Sequence, residues 1–291
     1  MGGQICGGST IASNFLKGMK VTVTGGTGFI GNHVVEALLS QSVEVTVTGT
    51  NPSKAKEFSW YHQVHFIPLN LENPISESVL KEIASTNKLI HLAWAGLPNY
   101  KSLFHFEKNL LPQYFFLKEL VRLGMKDITV TGTCFEYGMK EGALSANMPT
   151  DPQNPYALAK DSLRKFLQQL QQHESFRLKW LRLFYMFGKG QSEKSILSQL
   201  EKALKNKDEV FNMSGGEQQR DYLPVEEVAA QIVQYCLDDD KNGIFNVCSG
   251  KPVSISKLVD DYLAAHNGNI RLNKGYYLYP DYEPMNFWGV K

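Results

Sequence analysis

The stretch "MKVTVTGGTGFIGNHVVEALL", residues 19–39, decides the fold. Val21 and Val23 alternate with threonines in a short β-branched run, which suits a buried strand. Gly25, Gly28 and Gly31 follow, and then Val34, Val35 and Leu38 recur at helical spacing. In a strand–turn–helix of this kind one glycine makes the tight turn. A second lets the backbone approach a pyrophosphate, and the third lets helix and strand pack closely. The helix N-terminus then offers its unpaired N–H groups to the phosphates. Thr27, Phe29 and Ile30 complete the loop. A lone glycine spacing also fits a plain tight turn. Its place at the first strand–helix junction of an alternating chain favours a dinucleotide.

That alternation continues outward. "VEVTVTG", "HQVHFIPLN", "KLIHLAWAG", "DITVTGT" and "FRLKWLRLFYMFG" read as strands. "ISESVLKEIAST", "NLLPQYFFLKELVRLG" and "YALAKDSLRKFLQQLQQH" read as helices between them. Strands alternating with helices of this length predict an α/β fold: a Rossmann-type doubly wound parallel sheet with right-handed crossovers. After Gly188 the alternation weakens. Three amphipathic helices ("SEKSILSQLEKALKNK", "AAQIVQYCLDD", "ISKLVDDYLAAH") and an irregular aromatic tail predict a smaller, mostly helical C-terminal lobe. The expected division is a flexible extension over 1–18, a dinucleotide-binding domain over 19–184 and 221–248, and a substrate lobe over 185–220 and 249–291.

Composition narrows the classes. The chain has 291 residues, 43% hydrophobic and 20% charged, with a formal net charge of +1. That balance fits a soluble globular protein and gives no field or basic run suited to nucleic acid. No apolar run reaches the ~18 residues of a membrane span. The first 18 residues lack the charged and apolar regions of a signal peptide. The four cysteines, Cys6, Cys134, Cys236 and Cys248, form no CxxC pair and no metal-ligand spacing with histidine. A reducing, cytoplasmic setting and no metal are expected.

The end of the second strand bears on the cofactor. An NAD site usually places Asp or Glu there, on the ribose 2′-hydroxyl. Here the strand runs into "VTGTNPSKAK", with no acid between Gly49 and Lys56. Thr50, Asn51, Ser53 and Lys54 suit a 2′-phosphate instead. NADP(H) is the expected cofactor, with NAD(H) as the alternative.

"YALAK", residues 156–160, places Tyr156 and Lys160 on one helix face. By itself the pair fits an exposed polar surface. Together with "TGGTGFIG" and "TGTCFEYG" it resembles the NAD-dependent epimerase/dehydratase family of extended short-chain dehydrogenase/reductases, which modify nucleotide sugars. The likeness runs from about Met19 to Asn273 and takes in "WLRLFYMFGKGQ", "GGEQQRDYLPVEEVA" and "GIFNVCSGKPVSI".

The resemblance implies an active site of Thr133, Tyr156 and Lys160. A unit charge 4–5 Å away at an effective dielectric near 20 is worth ~3–4 kcal/mol. Lys160 is therefore expected to bring the Tyr156 phenol toward neutral pH, with Thr133 holding the substrate oxygen. The resemblance also places Asn70 at the adenine, and Ala93, with Leu71, Leu92 and Trp94 beside them, along the cofactor. Asn109 falls near the active-site helix, either bridging water to Lys160 or as a plain helix polar residue. Lys189, Gln191 and Arg220 become substrate ligands, Arg220 at the diphosphate or else in an ion pair with Asp221 or a glutamate. Tyr185, a further substrate-binding candidate, stands where the family usually has an Asn that touches the nucleotide sugar. Tyr276, Tyr277, Tyr279 and Tyr282 suit a lid or packing between lobes.

Within the family, 4,6-dehydratases carry Asp-Glu directly after the Thr. Cys134 and Phe135 stand there, and Glu136 comes one position later. The pattern looks most like bacterial reductases of dTDP- or CDP-linked 4-keto-6-deoxyhexoses, which supply surface-polysaccharide precursors. A 4-epimerase with tightly bound NAD and a non-catalytic NADP-binding redox sensor are the alternatives. Family likeness also implies a homodimer through the YxxxK helix.

Overall fold

A computed structural model describes residues 18–291; the expected extension lies outside these except for Gly18. The chain runs β1 (Lys20–Thr24), α1 (Phe29–Leu39), β2 (Glu44–Gly49), a one-turn α2 (Pro52–Ala55), β3 (His65–Pro68), α3 (Glu77–Ala84), β4 (Lys88–His91), α4 (Leu110–Arg122) and β5 (Asp127–Thr133). Next come β6 (Gly142–Leu144), α5 (Pro155–Leu170), β7 (Arg177–Leu183), β8 (Tyr185–Phe187), α6 (Ile196–Asn206), β9 (Val210–Asn212), β10 (Gln219–Pro224) and α7 (Val225–Leu237). The last elements are β11 (Gly243–Val247), β12 (Pro252–Ser254), α8 (Ile255–Ala265), β13 (Arg271–Asn273) and β14 (Phe287–Gly289).

Seven parallel strands form one sheet in the order β11-β7-β5-β4-β1-β2-β3. The chain reverses its direction of travel across the sheet between β1 and β4, which opens a crevice at their carboxyl ends. In register, Val21 and Val23 of β1 face Val45 and Val47 of β2. These valines pack with Val34, Val35 and Leu38 of α1 and with Val228, Ile232 and Val233 of α7 on one side of the sheet. On the other side Leu89, Ile128, Val130 and Trp180 pack under Phe116, Leu117 and Leu120 of α4 and Leu163 and Leu167 of α5. In β1 and β5 the residues between the apolar ones are threonines that are themselves buried, Thr22, Thr24, Thr129 and Thr131, so both faces of these strands are covered.

The lobe has its own core, built from Leu197, Leu200, Phe211, Met213, Ile255 and Val259. Besides its helices it carries short sheets, β12-β10-β8 and β13-β9. β10 pairs with β8 and β12, so the segment at residue 221 sits in the lobe sheet, and the chain re-enters the nucleotide domain with α7. "FRLKWLRLFYMFG" is two strands: β7 ends at Leu183, and β8 starts at Tyr185 and leaves for the lobe. The aromatic tail is ordered at its end, where β14 lies parallel to β6. Phe287 fills the seam there with Cys134, Tyr137, Phe184 and Cys248.

Candidate active site

The glycine loop is shaped by its own backbone. Gly25 has φ +72°, and a Cβ on it would stand 2.9 Å from the backbone of Ala93. A Cβ on Gly31 would reach 2.2 Å from the Gly25 carbonyl oxygen. Gly28 caps α1 in extended conformation with no side chain over the helix N-terminus, and it is exposed. Phe29 and Ile30 are half-buried beside it, and Thr27 packs against Gly49. The loop is a cradle that added side chains would fill, and its open helix N-terminus fits a pyrophosphate.

At the end of β2, Thr50, Asn51, Ser53 and Lys54 are all exposed. The Asn51 side chain accepts the Lys54 N–H at 3.0 Å and starts α2. Asn70 is exposed and accepts from the Glu72 N–H at 3.0 Å; Leu71 is half-buried. Leu92, Ala93 and Trp94 leave β4 half-buried at the crevice.

β5 delivers Thr133 as its last residue. A single 3₁₀ turn, Cys134–Tyr137, follows, and a capping box closes it. In that box Glu136 accepts the Thr133 backbone N–H at 2.9 Å. The Glu136 carboxylate also receives Trp180 Nε1–H at 3.0 Å and Arg182 Nε–H at 2.8 Å. It therefore points into the fold and cannot serve the cleft as an acid. Burial pushes its carboxyl up and Arg182 pulls it back.

α5 delivers Tyr156 and Lys160. Pro155 opens the helix, and Asn154 caps it by accepting the Ala157 N–H at 2.9 Å. Tyr156 stands among aromatic rings: His105 at 5.3 Å, Tyr100 at 5.5 Å and Trp94 at 6.1 Å. The expectation for its acidity is corrected here. Burial holds the phenol above its ordinary value, Tyr100 adds to this, and Thr133 acts in the opposite sense. The Lys160 ammonium does not sit on the phenol. It donates to the Thr131 carbonyl at 2.8 Å and lies 4.1 Å above the Trp94 ring. Burial brings Lys160 down to about 7, and the negative charge of Glu136 opposes that fall.

Asn109 closes a π-helical turn, His105–Asn109, that leads into α4. It donates to the Ala95 carbonyl at 3.3 Å and accepts from Gln113 Nε2–H at 3.0 Å. Gln113 Oε1 in turn meets His91 Nε2 at 2.8 Å, and His91 Nδ1 meets the Thr24 hydroxyl at 2.8 Å. Because the Gln113 oxygen can only accept, His91 carries its proton on Nε2. Burial, with Lys160 nearby, lowers this imidazole to about 3, so the relay is neutral.

The lobe side differs from expectation. Arg220 is buried, donates to the carbonyls of Gln219 and Met285 at 2.8 Å, and lies 3.4 Å from the Glu283 carboxylate. Its guanidinium covers the Phe287 ring at 4.6 Å. The ion-pair alternative therefore describes this structure, with Glu283 as partner, while Asp221 caps the Ser249 and Gly250 amides at 2.7 and 2.8 Å. The Tyr185 hydroxyl donates to the same Glu283 carboxylate. Lys189 is exposed, and its carbonyl accepts from His33 Nε2–H at 3.0 Å; Gln191 donates to the Met186 carbonyl at 2.8 Å. Tyr282 packs on Tyr100, which itself stands against Tyr156, and on Phe135, at 6.2 and 6.0 Å. Tyr276 and Tyr277 are exposed, and Tyr279 donates to Glu217. Sequence reasoning missed Tyr100, His105 and Glu283. Only the last carried a signal, as an acid in an aromatic run.

Cys134, Cys236 and Cys248 are buried free thiols. Among the described residues no helix is long and apolar enough to cross a membrane.

These features define a class. The chain belongs to the NAD dependent epimerase/dehydratase family, whose model matches residues 21–248. It is similar to a dTDP-6-deoxy-L-talose 4-dehydrogenase (NAD(+)) of Aggregatibacter actinomycetemcomitans, 30% identical over 94% of this chain and 100% of that protein. A GDP-6-deoxy-D-talose 4-dehydrogenase of the same organism is 24% identical over 92% of this chain and 87% of its own. In fold the chain resembles the UDP-N-acetylglucosamine 4-epimerase from Methanobrevibacter ruminantium M1, solved with UDP-N-acetylmuramic acid. There the TM-score is 0.83 at 24% identity, covering 94% of this chain and 90% of that one.

Proposed function

We propose that the chain interconverts the C4 ketone and C4 alcohol of a dTDP-linked 6-deoxyhexose, with reduction of the 4-keto sugar as the working direction. The observation that carries this is the convergence of Thr133, Tyr156 and Lys160 at the carboxyl ends of the sheet, next to the glycine cradle. The similarity to a dTDP-6-deoxy-L-talose 4-dehydrogenase supports both the position on the sugar and the nucleotide. A reduced dinucleotide seated on the glycine loop would supply hydride chemistry at sugar C4, leaving the oxidised dinucleotide.

Tyr156 gives its proton to the alkoxide oxygen that forms. Burial keeps this phenol protonated at neutral pH, so it carries the proton that reduction calls for. Thr133 donates a hydrogen bond to the same oxygen, where developing charge makes it most valuable. Lys160, held by the Thr131 carbonyl and the Trp94 ring, would bind the nicotinamide ribose of a bound dinucleotide. Lys189 and Gln191 lie on the loop after β8, at the lobe edge where the diphosphate passes. Arg220 meets that anion only if Glu283 yields it.

The exposed polar end of β2 supports NADP(H), whereas the similar dehydrogenase is described with NAD(+). The site thus takes either dinucleotide, with the 2′-phosphate preferred. The intact catalytic trio weighs against a redox sensor. The setting is cytoplasmic, and the assembly is a homodimer through α4 and α5, where Leu111, Phe115, Leu158 and Phe166 are exposed. The test mixes purified protein with NADPH or NADH and a panel of dTDP-, CDP-, GDP- and UDP-4-keto sugars and follows the loss of reduced nicotinamide absorbance. Consumption with one dTDP sugar supports the reading. No consumption, with NAD released on denaturation, favours the 4-epimerase.

A further inference from the structure

We infer that Trp94 is a positioning residue for Lys160: its ring face carries the lysine ammonium, and His105 locks the ring in that orientation. Lys160 has two partners in the structure. Its Nζ donates to the Thr131 carbonyl at 2.8 Å and stands 4.1 Å above the Trp94 ring. A desolvated cation over an indole is among the stronger cation–π arrangements. The indole is not free to turn. Its Nε1–H donates to His105 Nδ1 at 3.2 Å, and His105 Nε2–H donates to the Asn99 carbonyl at 2.9 Å. The two donations fix one neutral tautomer of His105. That ring also stands against Tyr156 at 5.3 Å, so one imidazole braces both the lysine's platform and the phenol.

The groups facing Lys160 come from several elements. Glu136, after β5, favours the ammonium. His91 at the end of β4 and His105 before α4 are each held from protonation in part by Lys160. With no carboxylate bonded to Lys160 among the described residues, the Trp94 face supplies attraction that burial would otherwise leave missing. It lets a buried lysine remain charged near neutral pH, where the reaction proposed above would use it. That consequence rests on the proposed function; the contact does not.

The experiment is therefore read on the free protein. Lysine labelled with ¹³C at Cε is followed by NMR through a pH titration, and Lys160→Met identifies the Lys160 signal. Protein in which tryptophan is replaced by fluorinated tryptophans keeps its shape but has a progressively less negative ring face. Under the inference, the Lys160 midpoint falls stepwise with fluorine content, and Trp94→Ala lowers it by about one pH unit or more. Replacement of His105 by Phe removes the indole's acceptor and gives a smaller fall. If Trp94→Ala does not fold, the fluorotryptophan series decides alone. A Lys160 midpoint unchanged across that series would overturn the inference, whatever the protein's activity proves to be. Where turnover is measurable, its basic limb moves down with the same midpoint, whereas a purely structural role would lower the rate uniformly across pH.

Discussion

Glu136 accepts the backbone N–H of Thr133 at 2.9 Å while its other oxygen takes Arg182 Nε–H at 2.8 Å. One buried carboxylate thus fixes the backbone of Thr133 and neutralises a buried arginine. Glu136→Ala leaves Arg182 unpaired in the interior, a loss of about 3 kcal/mol or more in unfolding free energy. Glu136→Gln keeps acceptors for Thr133 and Trp180 and costs less. Denaturant titration of both variants checks the order.

Lys160 gives a pH prediction with a definite sign. Its folded-state value is brought down to about 7 by burial, whereas an unfolded lysine titrates near ~10.4. Between those values the unfolded chain binds the extra proton, so this residue's contribution to stability rises with pH through that window. Below about pH 7 its cost is fully present. Lys160→Met should therefore be relatively most stabilised at about pH 6, with the advantage shrinking toward pH 10. Unfolding free energies of both proteins across that range provide the check.

Arg220 lies on β10 of the lobe sheet and pairs with Glu283. Where Glu283 yields Arg220 to the diphosphate on binding, replacement of Arg220 by Met should raise KM for the nucleotide sugar by about tenfold or more, as expected for a lost charge-assisted bond of ~1.5–3 kcal/mol; an unchanged KM leaves Arg220 as Glu283's partner alone. The Kd for dinucleotide should stay unchanged. Calorimetry with the dinucleotide, beside steady-state kinetics, separates the two effects.

Leu111 and Phe115 lie one turn apart on α4 and are both about half exposed. Next to them Tyr114 meets Phe166 of α5 at 5.4 Å, which extends the apolar surface across both helices. If the proposed homodimer forms through this surface, the double substitution Leu111→Asp, Phe115→Asp converts it into a monomer without loss of helical signal. Light scattering of the two proteins at equal concentration reads the mass.

The glycine turn and the shared helix face of Tyr156 and Lys160 were legible because local spacing encodes them, whereas Thr133 was picked out by the family resemblance, and the role of all three is the one proposed above. The turn needs glycine where a Cβ would strike Ala93 or the Gly25 carbonyl, and a helix places residues four apart on one face. The charge state of the pair was not legible. Proximity along the helix suggested that Lys160 acts on the phenol, but burial dominates the phenol, and the ammonium turns to Thr131 and Trp94 from other elements. The same limit hid Glu283. Its partners Tyr185 and Arg220 lie 98 and 63 positions earlier in the chain and meet it only through the lobe's folding. Glu136 shows the converse: its place after Thr133 was plain, but its direction depended on Trp180 and Arg182 in β7.

The most direct measurement transfers deuterium. Reduced dinucleotide deuterated at nicotinamide C4 is incubated with a dTDP-4-keto-6-deoxyhexose, and the sugar product is read by NMR. The account predicts one deuterium at sugar C4 per dinucleotide oxidised, abolished or reduced at least ~10²-fold by Tyr156→Phe. Inversion at C4 with no net oxidation of dinucleotide, or an undiminished rate in Tyr156→Phe, would contradict it.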